Sequence, residues 1–275
     1  METSVFVAGD WHGNAEWATN CIELARRLGC RRLIQLGDFG IWNPIGTQRY
    51  LDAMEAGCRN GDGEVTVYAL GGNHENYDMV AEYEQRPGDD GFVALRPHVQ
   101  WIPRGHRWTW ETRRLGAVGG AFSIDWRRRR IGTSWWPDQE EVQPSDIRTL
   151  GTEPLDILCT HDAPMGSQPP SIFDIPIPVQ DQAQADESRK LLLEAVHATQ
   201  PKLLLHGHWH QRNQRILSFA QCSVRIEGLE SDQEAGPKSW GILDLATLDF
   251  SDGRKFAGYL STGPGPGKHS TGLAP

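Results

Sequence analysis

The sequence predicts an α/β domain built on a parallel sheet, because short apolar runs alternate with amphipathic segments through its first part. Apolar runs at 5–8, 33–36 and 65–70 indicate strands, and a helix is expected in each interval between them. Connections of this kind make successive strands parallel through right-handed crossovers. A chain of 275 residues can bury the substantial core of one large domain.

The intervals between these strands contain helix start and stop signals. The first helix is expected to begin after the N-cap Asn14, to bury the face that carries Trp17 and Cys21, and to stop at Gly29. The second helix is expected over residues 47–56. Strand, helix, strand, helix, strand is therefore the predicted order up to residue 70.

From residue 92 the pattern changes to short β-like runs broken by glycine and proline, which favours antiparallel strands that continue the sheet or start a second one. Later strands are expected at 155–159 and 203–205, helices at 138–150 and 182–198, and hairpin-like strands near 215–219, 224–227 and 240–245. The domain is predicted to cover residues 1–250. The tail over 251–275 is rich in glycine and proline and is expected to be disordered.

Composition narrows the class of protein. The net charge of -9 argues against a broad interface with nucleic acid, which requires a basic surface. No stretch approaches the ~18 consecutive apolar residues of a membrane span, and the amino terminus has no signal-peptide pattern. The five cysteines are widely spaced and suggest free thiols in a reducing compartment. We therefore expect a cytoplasmic protein without stable nucleic-acid or membrane binding; its oligomeric state is left open.

Polar clusters follow five of the predicted strands. They are Asp10 with His12, Asp38, Asn73 with His74, His161, and His208 with His210. The carboxyl ends of parallel strands lie along one edge of a sheet, where α/β proteins hold ligands, so the clusters can converge. Residues two apart on extended backbone point to the same side, so each Asp/His or His/His pair could chelate one ion. Carboxylate and imidazole together suit manganese, iron or zinc, and Asp38 could bridge two ions through its two oxygens.

The order of these motifs (Gly-Asp-x-His, Gly-Asp, Gly-Asn-His-Glu, His, Gly-His-x-His) resembles that of the calcineurin-like metallophosphoesterases over about residues 4–245. The resemblance implies a four-layer α/β/β/α metallophosphoesterase sandwich with two divalent metal ions at its edge. It implies one ion held by Asp10, His12, Asp38 and His210, and a second held by Asp38, Asn73, His161 and His208. It also places His74 and Asn73 among the catalytic residues, with His74 protonating the leaving oxygen or steadying the developing charge.

One motif departs from the pattern of many family members. They continue the second motif as Gly-Asp-x-x-Asp, often followed by Arg-Gly, whereas Asp38 is followed here by Phe39-Gly40-Ile41-Trp42. This difference disfavours the serine/threonine protein phosphatase branch. The segment at 119–137 instead resembles small bacterial and phage-type members.

The resemblance and the donor set together predict a dinuclear phosphoesterase that hydrolyses a small phosphorylated molecule or nucleotide. Two bound cations would lower the pKa of a bridging water toward ~7, and the resulting hydroxide would attack phosphorus. A nuclease, a protein phosphatase and a non-catalytic metal-binding module are the alternatives. The sequence leaves open the physiological substrate, the choice between monoester and diester, and the metal pair.

Two further expectations concern the surroundings of the site. Glu75 and Asp162 are candidates to hold the outer nitrogens of the metal-binding histidines, because they adjoin them in sequence. The segment 123–137 carries three tryptophans and four consecutive arginines. It is either a solvated basic turn with packed aromatics or a substrate-selecting lip, in which Arg129 or Arg130 would grip a nucleotide-like substrate.

Overall fold

Two β-sheets lie face to face, with helices on their outer sides, in the computed structural model, which describes residues 3–61, 63–170, 177–220 and 223–256. The strands of these residues are β1 (Ser4–Ala8), β2 (Arg32–Gln35), β3 (Thr66–Ala69), β4 (Val93–Arg96), β5 (Val99–Trp101), β6 (Arg107–Trp110), β7 (Arg113–Val118), β8 (Ile157–Thr160), β9 (Leu203–His206), β10 (Asn213–Ser218), β11 (Ser223–Gly228), β12 (Trp240–Asp244) and β13 (Phe250–Asp252). The helices are α1 (Ala15–Arg27), α2 (Pro44–Arg59), α3 (Tyr77–Glu84), α4 (Pro137–Glu140), α5 (Pro144–Leu150) and α6 (Val179–Thr199).

The first sheet has the strand order β13-β12-β1-β2-β3-β5-β4. Strands β1, β2 and β3 are parallel neighbours, as predicted, and α1 and α2 form the crossovers between them. The second sheet has the order β10-β11-β9-β8-β7-β6, in which β7, β8, β9 and β11 are parallel. The predicted hairpin is confirmed for β10 and β11, whereas β12 joins the first sheet antiparallel to β1.

Alternating side chains of the strands divide the core into three layers. Val5 and Val7 of β1 pack between the two sheets, together with Leu203 and Leu205 of β9. The intervening residue of β1, Phe6, faces the other way into the core under α1 and α2. A third cluster joins the second sheet to α5 and α6. This strand periodicity gives the layers α/β/β/α, which confirms the predicted sandwich.

Helices α1 and α2 begin after asparagine caps, but the predicted starts of α2 and α6 and the helix predicted over 138–150 were wrong. Helix α6 starts at Val179, three residues before the predicted 182. Asn14 caps α1 by accepting a hydrogen bond from the amide of Trp17 at 3.0 Å, as predicted. Helix α2 starts three residues earlier than expected, since Pro44 suits the first helical position. The helix predicted over 138–150 is instead two short helices. Pro144 cannot continue a helix from the preceding turn and starts α5.

The ordered domain extends beyond the predicted boundary at residue 250. Strand β13 pairs with β12 through residue Asp252, and a 3-10 turn over Gly253–Phe256 brings Phe256 to 5.9 Å from the ring of Trp240. The prediction of a tail from residue 251 was therefore wrong for 251–256. The rest of the predicted tail, 257–275, lies outside the described residues. Within the part of the chain that the structure describes, no helix has the length and apolarity to span a membrane.

Candidate metal centre

The carboxyl ends of strands from both sheets meet at one edge of the sandwich. Polar residues follow these ends in the order Asp10 after β1, Asp38 after β2, Asn73 and His74 after β3, His161 after β8, and His208 and His210 after β9. Backbone hydrogen bonds join neighbouring ends, for example from the amide of Trp11 to the carbonyl of Asp38 at 3.1 Å. All the predicted site residues therefore lie along this edge.

Asp10, His12 and His210 form the first group that could hold a metal ion, with one ligand atom of each within 4.8 Å of the others. His210 Nε2 lies 3.1 Å from Asp10 Oδ2. His12 Nε2 lies 3.5 Å from Asp38 Oδ2, so Asp38 also borders this group. Three of the four predicted ligands of the first ion thus belong to one group, and the fourth borders it.

Asp10, Asp38 and His161 form the second group, again with ligand atoms within 4.8 Å. His161 Nε2 lies 3.4 Å from Asp38 Oδ1 and 3.1 Å from Asn73 Oδ1. His208 stands beside this group, with its ring centroid 5.0 Å from that of His161 and its amide 3.0 Å from Asp10 Oδ1. The two oxygens of Asp38 therefore face different histidines, the arrangement that a bridging carboxylate requires.

Several site residues have left-handed backbone conformations. The φ angles are 44° for His12, 50° for Asp38, 65° for His208 and 50° for His210. The expectation that both pairs lie on extended backbone was therefore wrong, because the chain reverses sharply as it leaves each strand. Such conformations are unfavourable for residues other than glycine and are concentrated at functional sites.

Two motif glycines allow carboxylates to pack directly against backbone. A Cβ atom at Gly72 would lie 2.0 Å from Asp38 Oδ1, and one at Gly207 would lie 2.1 Å from Asp10 Oδ1. Any larger residue would displace these carboxylates. The glycines before Asn73 and His208 therefore have a packing role in the site.

The site buries charged groups that need a counter-charge. Asp10 and Asp38 are at most 2% exposed, and His161 is fully buried. Burial would raise the pKa of Asp38, but the imidazoles of His161 and His74 outweigh it and hold that pKa well below its usual value. For His208, burial disfavours the charged imidazolium and lowers the pKa to about 4. Buried carboxylates, imidazole rings and an amide oxygen form a donor set that fits a divalent transition metal.

Hydrogen bonds hold the turn after β3 on both sides. The amide of His74 donates to Asp38 Oδ1 at 2.9 Å. The three successive carbonyl oxygens of Gly72, Asn73 and His74 each accept a hydrogen bond from a side chain: Tyr77 Oη at 2.5 Å, Arg129 Nη2 at 3.1 Å and Trp42 Nε1 at 2.7 Å. The backbone that carries the His74 ring is consequently held by contacts that do not involve the ring.

The partner of His12 is a residue that sequence reasoning missed. Asp232 Oδ1 lies 2.7 Å from His12 Nδ1, and the amide of Asp232 donates to the carbonyl of Asp10 at 2.9 Å. Asp232 follows β11, 220 positions along the chain from His12. No motif marks it; its loop reaches the site because β11 pairs with β9 and β12 pairs with β1. The outer nitrogen of His161 is held by the carbonyl of Leu36 at 2.8 Å.

Glu75 and Asp162, which were expected to hold the outer nitrogens of the metal-binding histidines, have other hydrogen-bond partners. Glu75 accepts hydrogen bonds from the amides of Phe39, Gly40 and Ile41 at 2.6, 3.1 and 2.8 Å. Burial raises its pKa to about 7. Among the described residues, Glu75 thus secures the loop after Asp38 rather than a histidine.

Asp162 accepts hydrogen bonds from Trp209 Nε1 at 2.7 Å and Arg189 Nε at 3.0 Å. It joins the loop after β9 to α6. Both side-chain partners lie outside the group of candidate ligands. Adjacency in sequence therefore misassigned Asp162 as well as Glu75.

The arginine-rich segment is folded against the body of the protein. Arg127 forms an ion pair with Asp181 of α6, and Trp126 stacks on Trp135 with ring centroids 5.0 Å apart. The side chain of Arg129 is only 9% exposed and pairs with the buried Glu140. For Arg129 these contacts favour the structural alternative of a packed turn. Arg130 is exposed, and its role in a lip stays a prediction.

Comparison with known proteins agrees with this architecture. TT1561 of Thermus thermophilus is similar over 92% of this chain and 99% of its own, with a TM-score of 0.55 and 11% identity. A dimetal phosphatase from Danio rerio is similar over 89% of this chain and 93% of its own, with a TM-score of 0.50 and 13% identity. At such identities the likeness shows the fold alone.

The family of the protein is shown by its sequence and not by the likeness of its fold. No curated protein matches the chain. The family model of the calcineurin-like phosphoesterases, however, matches residues 3–212, which is well over half of the chain and includes all five motifs. The protein therefore belongs to the calcineurin-like phosphoesterase family, whose members are hydrolases that act on phosphate esters.

Proposed function

We propose that this protein is a dinuclear, metal-dependent phosphoesterase that hydrolyses a small phosphorylated molecule or nucleotide. The observation that carries the proposal is the placement of Asp38, which belongs to one candidate metal group and borders the other, with Oδ2 at 3.5 Å from His12 Nε2 and Oδ1 at 3.4 Å from His161 Nε2. The net charge of -9 favours a small substrate over a nucleic acid.

The proposed ligand sets are those that the family resemblance implies, and Asp10, which belongs to both groups of ligand atoms, is assigned to the first ion. One ion would be held by Asp10, His12, Asp38 and His210, and the other by Asp38, Asn73, His161 and His208. Manganese, iron and zinc all suit these donors. When bound, the ions would supply charge neutralisation for the phosphate and an activated water near neutral pH.

His74 is the residue placed to act on the leaving group. Its ring lies 6.3 Å from the ring of His12, outside both groups of ligand atoms, and is partly exposed. An imidazole in this position can donate a proton to the leaving oxygen, or a hydrogen bond to the charge that develops there. The ring needs no other role in the site, because the turn that carries it is held through backbone atoms.

The proposal is tested by assaying the manganese-loaded protein with p-nitrophenyl phosphate and with its bis ester. Hydrolysis of either ester that disappears with a chelator and returns with Mn²⁺ supports a metal-dependent phosphoesterase, and the ratio of the two rates separates monoesterase from diesterase. A panel of nucleotides, dinucleoside polyphosphates, cyclic nucleotides and sugar phosphates then narrows the substrate. Binding of two ions without hydrolysis of any ester would favour the non-catalytic alternative.

Replacing Asp232 by Ala should weaken metal binding at the first group. The carboxylate orients His12 through Nδ1, and loss of such a partner typically costs 10–100-fold in metal affinity or activity. The measurement is Mn²⁺ affinity by equilibrium dialysis. Glu230→Ala is the matched control, since this residue of the same loop pairs with Lys238 instead. Equal affinities for the two variants would contradict the assignment.

A further inference from the structure

Ser123, Arg129 and Glu140 form a buried set of hydrogen bonds beside Asn73, here called the Ser123 cluster. Ser123 Oγ donates to Glu140 Oε2 at 2.5 Å. Ser123 Oγ in turn accepts hydrogen bonds from Arg129 Nη1 at 2.7 Å and from Asn73 Nδ2 at 3.0 Å. A serine hydroxyl has one proton and two acceptor positions, so this arrangement uses its full hydrogen-bonding capacity.

This arrangement allows only one orientation of the Asn73 amide. Ser123 Oγ also lies 3.4 Å from the backbone carbonyl oxygen of Asn73, but its proton goes to Glu140 Oε2, which is much closer at 2.5 Å. Toward the side-chain amide of Asn73, Oγ therefore acts as an acceptor, and the amide nitrogen must face it. The carbonyl oxygen Oδ1 then faces the opposite way, 3.1 Å from His161 Nε2. The reversed amide would set an oxygen lone pair against Ser123 Oγ without a proton between them, which is costly in a buried site.

Glu140 keeps the proton arrangement of the cluster fixed. It is fully buried and accepts from both terminal nitrogens of Arg129, as well as from the amide of Trp136 at 2.9 Å. Burial raises the pKa of Glu140, and the bidentate pair with Arg129 opposes that shift and favours the carboxylate form. A carboxylate accepts hydrogen bonds and cannot donate one back to Ser123. Arg129 Nη2 also donates to the carbonyl of Asn73 at 3.1 Å.

Contacts on several sides hold the segment 123–137, which carries Arg129, against the rest of the protein. Arg127 pairs with Asp181 on α6, and Trp126 stacks on Trp135. At the other side, the amide of Gly120 donates to the carbonyl of Gly71 at 2.9 Å, so the chain leaving β7 runs beside the turn after β3. A segment that follows the second sheet and is held by these contacts thus positions Asn73, which follows a strand of the first sheet.

We infer that Ser123 is a positioning residue for the metal centre. It holds the Asn73 amide with its oxygen directed toward His161 and the second group of candidate ligands. This inference rests on the proposed assignment of Asn73 as a metal ligand. Ser123 acts through Asn73 and does not touch the substrate. A pre-oriented amide oxygen would bind a cation without first losing rotational freedom or turning its nitrogen away.

The test is Mn²⁺ binding to four proteins: the wild type, Ser123→Ala, Asn73→Ala and the double variant. Ser123→Ala should weaken binding of one of the two ions by about 10–100-fold, the usual effect of removing a partner of a metal ligand. It should have no further effect in the Asn73→Ala background, because the amide that it orients is then gone. Ser188→Ala, which alters another buried serine on α6, should bind both ions as the wild type does.

Ser123 is the suitable position because its loss leaves the Arg129–Glu140 ion pair intact, whereas breaking a buried ion pair can prevent folding. Thermal unfolding checks that Ser123→Ala is folded. Two results would overturn the inference. One is wild-type Mn²⁺ affinity in Ser123→Ala, and the other is an equal loss of affinity on replacing Ser123 with and without Asn73 present. Neither result would contradict the proposed metal centre itself. A wild-type protein that binds no Mn²⁺ would overturn both the inference and the proposed metal centre.

Discussion

Replacing Asp38 by Asn should remove most of the phosphoesterase activity and lower the metal content of the protein. Both carboxylate oxygens face candidate ligands, Oδ2 toward His12 and Oδ1 toward His161, so one substitution should affect both ions. An amide is neutral, and its nitrogen cannot bind a cation. We expect activity to fall by more than about 100-fold, the upper end of the effect of residues one step further from a metal.

Asn is the informative replacement because it should leave the fold unchanged. Asp38 has a φ of 50°, in the left-handed region. Apart from glycine, Asn is one of the residues that adopt this region most readily. The amide oxygen can still accept the hydrogen bond that His74 now donates to Oδ1. A loss of activity in a folded Asp38→Asn protein is therefore attributable to the carboxylate charge.

The measurement combines metal analysis after dialysis with the rate of ester hydrolysis at saturating Mn²⁺. Asp156→Asn is the matched control. Asp156 is a buried carboxylate that precedes β8 and pairs with Lys202 at 3.1 Å, at the end of the strand opposite His161. Two bound ions together with full activity in Asp38→Asn would rule out a bridging role for this residue.

The edge of the sandwich that carries the site was predictable because its signals are local. Each motif directly follows an apolar run, and parallel strands end at a common edge. The pattern of β1 illustrates this: Val5 and Val7 face the other sheet while Phe6 faces the helices, so the alternation visible in the sequence is the alternation of the core. The order of the polar clusters then follows the order of the strands.

The supporting contacts could not be predicted because their partners are distant in the sequence. Asp232 meets His12 across 220 positions, and Ser123 meets Asn73 across 50. Both contacts depend on how the two sheets are connected and not on any local pattern. Adjacency, the only guide available from sequence, pointed instead to Glu75 and Asp162, whose hydrogen-bond partners are not the metal-binding histidines.

The arginine run shows the same limit at the level of single side chains. Residues 127–130 are identical in type, yet Arg129 is mostly buried against Glu140 and its neighbours Arg128 and Arg130 are exposed. A 3-10 turn at Trp126–Arg128 determines which side chain points inward. Composition alone could indicate a basic segment but not which arginine would become part of the structure.

Replacing His74 by Asn should leave both metals bound and slow turnover by about 10²–10⁴-fold, the range for a positioned acid-base group. The ring belongs to neither group of candidate ligand atoms, so its loss should not release an ion. The hydrogen bond to Asp38 comes from the backbone amide of His74 and survives the substitution. Hydrolysis rates and metal content measured on the same preparation check both expectations.

The dependence on the leaving group decides what His74 does. A group that protonates the leaving oxygen matters least for p-nitrophenol, which is a good leaving group, and most for an alkyl phosphate, whose alkoxide needs the proton. We therefore expect His74→Asn to reduce hydrolysis of the alkyl ester more than hydrolysis of the p-nitrophenyl ester. His197→Asn, at an exposed position on α6, should leave both rates unchanged. Equal losses for the two esters in His74→Asn would show that the ring positions the phosphate and donates no proton.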